Sequence, residues 1–242
     1  MPTPPLEGRA SSVFDYGWYA FLTEAEPATE LVLLRHGQQT HLSTGTDRFG
    51  DAIDPVLSPL GERQADLVGR RLSGERVDAV YSSELRRAYA TAQQVGRHHG
   101  LEPVRISDLR EVEVFRDIPP DQSVEEVLGR SLLLGVRERM MTEKRWDVYP
   151  FSESSAAFRK RAVNAIEGIA AMHEGERVVI SCHGGVINAY LAHHLGIGCD
   201  MFFRPAHTAV NVMRVGHHGV RAVQSLGDVH HLLVEGADLL SY

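Results

Sequence analysis

The chain has 242 residues, a hydrophobic content of 43% and a formal net charge of -7. This length and apolar content favour one large α/β domain with an inserted cap over two independent domains. A negative net charge provides no basic field for nucleic acid, so an anionic substrate would have to be bound by a local cluster of cations.

The remaining composition narrows the class of protein further. The two cysteines, Cys182 and Cys199, form no disulfide framework, which is typical of a reducing compartment. No apolar run approaches membrane-spanning length, and the N-terminus lacks the basic start and apolar stretch of a signal peptide. The thirteen histidines lack the repeated short spacing of a structural zinc site. We therefore expect a cytoplasmic protein that needs no metal or other cofactor and binds neither nucleic acid nor membrane.

Residues 1–29 read as an N-terminal arm. The Pro-rich residues 1–10 are predicted to be disordered, whereas residues 11–29 contain "FDYGWYAF", with five aromatic residues in eight positions. Aromatic surface of this size is costly to leave exposed to water. We expect this segment to dock on its own domain, and docking on the second subunit of a homodimer is the alternative.

From residue 30 onward, strand-like runs alternate with helical patterns. The first strand, "ELVLL", is followed by a helix that begins after the N-cap candidate Ser58. A second strand, "VDAVYSS", leads into a helix that begins after the cap candidate Ser83 and ends at Gly100. The later predicted strands are "EPVRISD", "RVVISCH", "AVNVMRV" and "VRAVQSL", and the helix "VINAYLAHHLG" follows the second of them. This alternation predicts an α/β fold with a mostly parallel sheet and helices on both faces.

The alternation lapses between residues 112 and 152. There "SVEEVLGRSLLLGVRERMM" begins with a capping box from Ser123 to Glu126 and is then apolar on nearly every side. This pattern predicts a helix packed in a lid or subdomain, before a long amphipathic helix that stops at Gly175. We therefore predict one domain over residues 30–242 with a helical cap insertion at about 112–152.

Polar residues stand directly after four of the predicted strands. In an open parallel sheet, ligands bind at the carboxyl ends of the strands. The sets are Arg35, His36 and Gly37; Ser82 and Ser83 with Arg86 and Arg87; Glu111 and Glu113; and Cys182, His183, Gly184 and Gly185. The fold should bring two histidines, two or three arginines and a carboxylate to one edge of the sheet.

This combination suits phosphoryl chemistry. Arginine offers a planar, permanently charged fork of donors that matches phosphoryl oxygens, and helix N-termini add donors of the same sign. A neutral imidazole can act as a nucleophile, a second can donate to the phosphoryl oxygens, and a carboxylic acid can protonate the leaving alcohol. Arginines and imidazoles supply the charge compensation, so the chemistry requires no metal.

The ordered series of motifs resembles the histidine phosphatase superfamily, also called phosphoglycerate-mutase-like. It runs through "LLRHGQ", "LSPLGERQA", "YSSELRRAYATA", "LRE", "SES", "ISCHGGVINAYL" and "LGDVHHL", from residue 30 to residue 231. The resemblance implies a three-layer α/β/α sandwich with a cap over the pocket.

The resemblance also implies residue roles. His36 would be the phosphorylated nucleophile, Arg35 and Arg87 the phosphate clamps, His183 the second pocket histidine and Glu111 the general acid. We add Gly37, Gln38 and Gly184 to the substrate-binding set, with Gly37 leaving room for the backbone to approach the phosphoryl oxygens. Glu113 remains the alternative acid, because the glycine that usually follows the acid is missing from "LREVEVFRD".

The sequence alone leaves three functions open. We favour a histidine acid phosphatase-like phosphomonoester hydrolase acting on a small phosphorylated substrate. The reason is that "VEVFRD" stands where glycolytic mutases carry an Arg-His-Tyr-Gly stretch. A cofactor-dependent phosphoglycerate-type mutase is the second possibility. A non-catalytic phospholigand-binding protein is the third, because Gln39 and Leu42 stand where the family usually has a hydroxyl residue and an asparagine.

Overall fold

A computed structural model of the chain describes residues 28–40, 48–216 and 219–242. The predictions for the N-terminal arm and for Leu42 fall outside these residues, apart from the last two positions of the arm. Within the described ranges, no helix is both long and apolar enough to cross a membrane.

The described elements follow the predicted alternation. The strands are β1 (Thr29–Arg35), β2 (Ala79–Ser83), β3 (Val104–Ile106), β4 (Arg177–Cys182), β5 (Val210–Val215) and β6 (Arg221–Asp228). The helices are α1 (Phe49–Ile53), α2 (Pro59–Leu72), α3 (Arg86–His99), α4 (Val124–Leu128), α5 (Arg130–Glu143), α6 (Ser155–Met172), α7 (Gly184–Leu195) and α8 (His230–Leu233). Short 3-10 turns lie at Ser107–Leu109, Trp146–Val148 and Ala237–Leu239.

The strands form one mixed sheet in the order β3-β2-β4-β1-β5-β6. The first four strands in this order pair in parallel, whereas β5 pairs antiparallel to both β1 and β6. The predicted α/β fold with a mostly parallel sheet is confirmed.

Strand β1 lies at the centre of the molecule and is buried on both faces. Leu31 and Leu33 pack in the cluster formed with α6 and α7, whereas Val32 and Leu34 pack in the cluster formed with α2 and α3. Because side chains alternate along a strand, consecutive residues of β1 join different helical layers. An uninterrupted apolar run is therefore what a central strand of a three-layer sandwich requires.

The predicted helix caps are correct at some positions and wrong at others. The Ser58 hydroxyl accepts a hydrogen bond from the Gly61 amide at the start of α2, and Ser123 and Glu126 form the predicted capping box of α4. Ser83 does not cap α3: the helix begins at Arg86 after Leu85, and the Ser83 hydroxyl accepts from the Leu85 amide at 3.3 Å instead. Helix α6 ends at Met172, ahead of the predicted stop at Gly175.

The prediction of one packed helix from Ser123 is also wrong. Gly129 has φ 77° and ψ 148°, so the chain breaks there into α4 and α5. In α5 only Val136 is buried, while Leu132 and Leu134 are 48% and 53% exposed. Leu132 and Leu134 of α5 are therefore largely exposed among the described residues, whereas Val136 packs inward.

Candidate active site

Parallel pairing of β1 with β4 places two histidines side by side. Arg35 is the register partner of Cys182, and the His36 amide donates to the Cys182 carbonyl at 3.0 Å. His36 and His183 each follow their strand by one residue, and their ring centroids lie 5.0 Å apart. The register of the sheet therefore brings the two predicted histidines into contact.

Two hydrogen bonds fix the tautomer of His36. Nδ1 lies 2.7 Å from the Gly37 carbonyl, which can only accept, so Nδ1 carries the proton. Arg87 Nε donates to His36 Nε2 at 3.2 Å, so Nε2 presents its lone pair. Burial, with His183 and Arg87 adding to it, holds the pKa of His36 well below its usual range. His36 is therefore neutral at pH 7, and Nε2 is the ring nitrogen that carries the lone pair.

Arg87 connects the two imidazoles. Its Nη2 lies 3.4 Å from His183 Nδ1, and a guanidinium can only donate, so Nδ1 accepts and Nε2 of neutral His183 carries the proton. Burial, and then Arg87 and Arg35, hold the pKa of His183 well below its usual range. Nε2 of His183 is buried without a hydrogen-bond partner in the described part of the chain.

Two further buried donors surround His36. Arg35 donates through Nη1 to the Pro205 carbonyl at 2.6 Å, while its Nε and Arg87 Nη1 make no hydrogen bond within the described ranges. Burial lowers the pKa of Arg35 to about 10, which still leaves its guanidinium charged at pH 7. Arg87 Nη1 lies 3.9 Å from an Asp54 carboxylate oxygen, which is an ion pair but too long for a hydrogen bond. Buried donors that lack hydrogen bonds are costly, and an anion with several acceptor oxygens would satisfy them.

Glu111 lies at the N-terminus of α7. Its carboxylate accepts from the Gly185 amide and from the Val112 amide, each at 3.0 Å. A Cβ on Gly185 would collide with this carboxylate, so a glycine is needed at that position. Burial raises the pKa of Glu111 against the opposing effect of the two amides and of Arg87 and Arg35. Glu111 is thus a carboxyl group that retains its proton to higher pH than an exposed glutamate.

The loop that carries Glu111 is fixed by an arginine of α6. Arg161 forms a bidentate pair with Glu153 at 2.9 and 2.6 Å. It also donates to the carbonyls of Asp108, Arg110 and Glu111. Glu153 belongs to the "SES" motif, so this motif holds the carboxylate loop in place.

Glu113, the alternative acid, has a different environment. It is 37% exposed and forms an ion pair with Arg110 at 3.0 Å. Its backbone carbonyl accepts from the Glu153 amide, so it lies on the outer part of the same loop. The structure therefore places Glu111 at the start of the helix that follows His183, with its charge acting on Arg35 and Arg87, whereas Glu113 is paired with Arg110.

The three other predicted substrate-binding residues lie near His36 but are engaged by the protein. The Gly37 amide donates to Thr91 Oγ1 at 3.0 Å, and a Cβ on Gly37 would press on the carbonyl of Gly61. The structure thus shows a packing reason for the glycine at position 37, and the approach of its backbone to phosphate stays a prediction. Gln38 accepts from Ser58 Oγ at 2.8 Å, and Gly184 lies against Arg35 with its carbonyl bonded to Asn188.

A third histidine lies in the site and was missing from the predicted set. The His207 side chain is 4% exposed, and its ring centroid lies 5.7 Å from that of His36. Two hydrogen bonds of 2.9 Å join it to Ser241. The His207 amide donates to the Ser241 carbonyl, and His207 Nδ1 bonds to the Ser241 hydroxyl. The sequence signal that could have identified His207 is its place just before a strand that runs antiparallel to its neighbours.

The described residues contain no group of three or more histidine, cysteine or acidic side chains placed to hold a metal ion. The charges that act on His36 are those of Arg35 and Arg87. Glu111 acts on both of these guanidinium groups, and Asp54 acts on that of Arg87. This arrangement provides an anion-binding pocket with a neutral imidazole and a carboxyl group.

Comparison with known proteins places this fold and site in a family. The histidine phosphatase superfamily (branch 1) matches residues 31–228, and the chain belongs to this superfamily. It is 32% identical over 216 residues to phosphoglycerate mutase-like protein 4 of Arabidopsis thaliana. The aligned region covers 88% of this chain and 90% of the relative. It is 31% identical over 190 residues to the metal-independent phosphoserine phosphatase of the same plant, with 72% of each protein covered.

A solved structure supports the same assignment. The structure of YhfR from Bacillus stearothermophilus superposes with a TM-score of 0.69 and a sequence identity of 26%. The match covers 84% of this chain and 99% of the YhfR chain. The resemblance stated from the motifs is therefore confirmed, and the relatives include both a phosphatase and a mutase-like protein.

Proposed function

We propose that this protein is a metal-independent phosphomonoester hydrolase that forms a phosphohistidine on His36 and uses Glu111 as its general acid. The observation that carries the proposal is the presence in one site of a neutral His36, whose Nε2 presents a lone pair, and a partly buried Glu111 whose pKa is raised. Arg35, Arg87 and His183 surround these two groups with donors for the phosphoryl oxygens.

In the first step, His36 Nε2 attacks phosphorus. The N–P bond forms, the P–O bond to the alcohol breaks, and the leaving oxygen takes the proton of Glu111. The substrate displaces Arg87 from Nε2, and the guanidinium then binds a phosphoryl oxygen. The negative charge of the phosphoryl group raises the pKa of Glu111 further, which favours the protonated form that this step needs.

In the second step, Glu111 acts as a base. It takes a proton from water, the water oxygen attacks phosphorus, and the N–P bond breaks to release inorganic phosphate. His36 returns to the neutral state, and the hydrogen bond from Nδ1 to the Gly37 carbonyl keeps its tautomer through the cycle. Glu111 is again protonated and ready for another turnover.

Hydrolysis is favoured over the mutase reaction by the residues that follow Glu111. Val112 and Val114 line the wall beside the site, where a mutase would need polar groups to hold a small phosphoacid for return transfer. If the protein is a mutase, interconversion of 2- and 3-phosphoglycerate that depends on a bisphosphorylated primer will exceed hydrolysis. That result would contradict the proposal.

The direct test is hydrolysis of p-nitrophenyl phosphate by the wild type and by His36→Asn, with EDTA present. We expect the substitution to lower kcat by more than about 10³-fold, because it removes the nucleophile. His98→Asn is the matched control, since His98 is exposed at the far end of α3. Wild-type activity that requires an added divalent metal, or that survives in His36→Asn, would overturn the proposed function.

A further inference from the structure

A pocket of about 390 Å³ opens beside the candidate active site, and Arg87 and Glu111 form part of its wall. This volume lies in the range of roughly 300–1,000 Å³ that holds drug-sized ligands. Because both residues face the reacting groups, a molecule that fills the pocket also contacts the site of phosphoryl transfer.

The wall of this pocket is largely apolar. Its apolar lining comes from α1, from the turn before α3 and from the loop after Glu111; these residues are Phe49, Ala52, Ile53, Leu85, Val112 and Val114. Two backbone hydrogen bonds join α1 to the segment before α4: the Phe49 amide donates to the Gln122 carbonyl, and the Gly50 amide donates to the Pro120 carbonyl. An apolar surface of this kind favours a ligand with an apolar body.

The charges in the wall largely have protein partners. Arg110 pairs with Glu113 at 3.0 Å and with Glu84 at 3.5 Å. Arg116, which is exposed, donates to the Ser152 carbonyl at 3.3 Å. A small substrate acid would need a cation for its carboxylate. Arg110 already has two acidic partners, and Arg116 is exposed to water, which weakens its attraction for a carboxylate.

The position of Glu111 fixes which part of a substrate enters the pocket. In the proposed reaction, which this inference presupposes, Glu111 gives its proton to the leaving oxygen. The alcohol portion must therefore extend from a point beside Glu111, and the pocket begins there. The phosphoryl group stays with Arg35, Arg87 and the histidines.

We propose that this pocket binds the alcohol portion of the substrate, and that the substrate is a phosphomonoester of an apolar alcohol with a long alkyl or arylalkyl body. Small phosphorylated acids such as phosphoserine and 3-phosphoglycerate, which lack such a body, are the poorer substrates. Ile53 is a specificity-determining residue, because its half-exposed side chain lies in the wall at the end of α1.

The first experiment measures kcat/KM for n-alkyl phosphates from ethyl to hexyl, with phosphoserine and 3-phosphoglycerate alongside. The alkyl esters share a primary alcohol as leaving group, so the bond that breaks stays nearly constant along the series. We expect kcat/KM to rise about two- to fourfold per methylene, the upper value corresponding to full burial of each group. A flat series, or a preference for either phosphorylated acid over hexyl phosphate, would overturn the inference.

Ile53→Asn tests the wall itself. We expect this variant to reduce the dependence of kcat/KM on chain length. Val56→Asn is a matched control, because Val56 is 44% exposed and Ile53 is 42% exposed, and Val56 does not line the pocket. An unchanged chain-length dependence in Ile53→Asn, with thermal melting that shows a folded protein, would contradict the assignment of this residue.

Binding of nonhydrolysable alkylphosphonates separates the two proposals. Calorimetry should give tighter binding for hexylphosphonate than for ethylphosphonate, whether or not esters are hydrolysed. Equal affinities would overturn the pocket assignment. Chain-length-dependent binding without turnover of any ester would support the pocket and contradict the proposed function alone.

Discussion

At the scale of single residues, the chemistry of the site depends on how burial changes the ionisation of three side chains. Burial lowers the pKa of His36 and His183 and raises the pKa of Glu111. Removing a group from water disfavours its charged form, so one cause favours the neutral form of both imidazoles and of the carboxyl group. A neutral nucleophile and a protonated acid are the forms that the first step requires.

Glu111→Gln tests the role of the acid. We expect kcat/KM for hexyl phosphate to fall by about 10²–10⁴-fold, because an alkoxide leaves poorly without a proton. The loss for p-nitrophenyl phosphate should be much smaller, since nitrophenolate leaves without help. Steady-state assays with the two esters measure this difference.

The comparison variant is Glu113→Gln, which changes the other carboxylate of the same loop. We expect a smaller loss for this variant, with no dependence on the leaving group. Equal losses of Glu111→Gln on both esters would argue against general-acid catalysis by Glu111. A larger and leaving-group-dependent loss in Glu113→Gln would assign the role to Glu113.

The sequence indicated most of the site residues because they follow parallel strands. The polar residues after β1, β2 and β4 could be placed at one edge of the sheet before any coordinates were known. His207 escaped this reasoning because it precedes β5, which runs antiparallel to β1. The start of an antiparallel strand lies at the same edge as the ends of its parallel neighbours, so identifying His207 requires the direction of β5.

At the scale of elements, the junction between β1 and α2 holds His36, the proposed nucleophile. Gly37 and Gly61 pack backbone against backbone, and the Gln38 amide donates to Gln64 Oε1 at 2.8 Å. Gln64 also donates to the Leu239 carbonyl and the Ser241 hydroxyl. Helix α2 therefore links the residues after His36 to the C-terminal segment that holds His207.

Gly61→Ala tests this junction. A Cβ at Gly61 would collide with the Gln38 carbonyl, so the strand end or the helix must move. We expect a loss of roughly 1–3 kcal/mol in the free energy of unfolding and a clear fall in kcat/KM. Urea denaturation and assays with p-nitrophenyl phosphate measure the two effects.

Gly74→Ala provides the matched control, because a Cβ at Gly74, just after α2, meets nothing within 4 Å. We expect its free energy of unfolding to stay within about 0.5 kcal/mol of the wild type. If Gly61→Ala behaves like Gly74→Ala, the close approach of α2 to Gln38 does not position the nucleophile.

Element boundaries were predictable where a local signal decided them. The Ser58 cap, the capping box at Ser123 and the left-handed Gly100 depend only on neighbouring residues. The break at Gly129 and the outward-facing Leu132 and Leu134 were not predicted, because helical periodicity records which residues are apolar and not what they pack against.

At the scale of the whole molecule, buried histidines couple stability to pH. His231 is buried, with Nε2 3.1 Å from Thr208 Oγ1, and burial lowers its pKa to about 4. In the unfolded chain its pKa would be about 6.5. Between these values the unfolded state binds a proton on His231 and the folded state does not. The contribution of His231 to the free energy of unfolding is therefore complete above pH 6.5 and is lost as the pH falls.

His231→Gln should reduce this dependence. From pH 7.5 to pH 5, we expect the wild type to lose roughly 2 kcal/mol more of its free energy of unfolding than the variant. Urea denaturation at several pH values measures the difference, with His98→Gln as the exposed control. Parallel stability curves for the wild type and His231→Gln would contradict the assignment of a neutral, buried His231.

The proposed reaction depends on a covalent bond between His36 and phosphorus. The most direct measurement is intact-protein mass spectrometry of Glu111→Gln after p-nitrophenyl phosphate is added and the reaction is quenched in alkali. We predict one phosphoryl group per chain, stable to base and labile to acid, located on His36 and absent when His36→Asn is combined with Glu111→Gln. Turnover of the ester with no phosphoryl group on His36 would contradict the account.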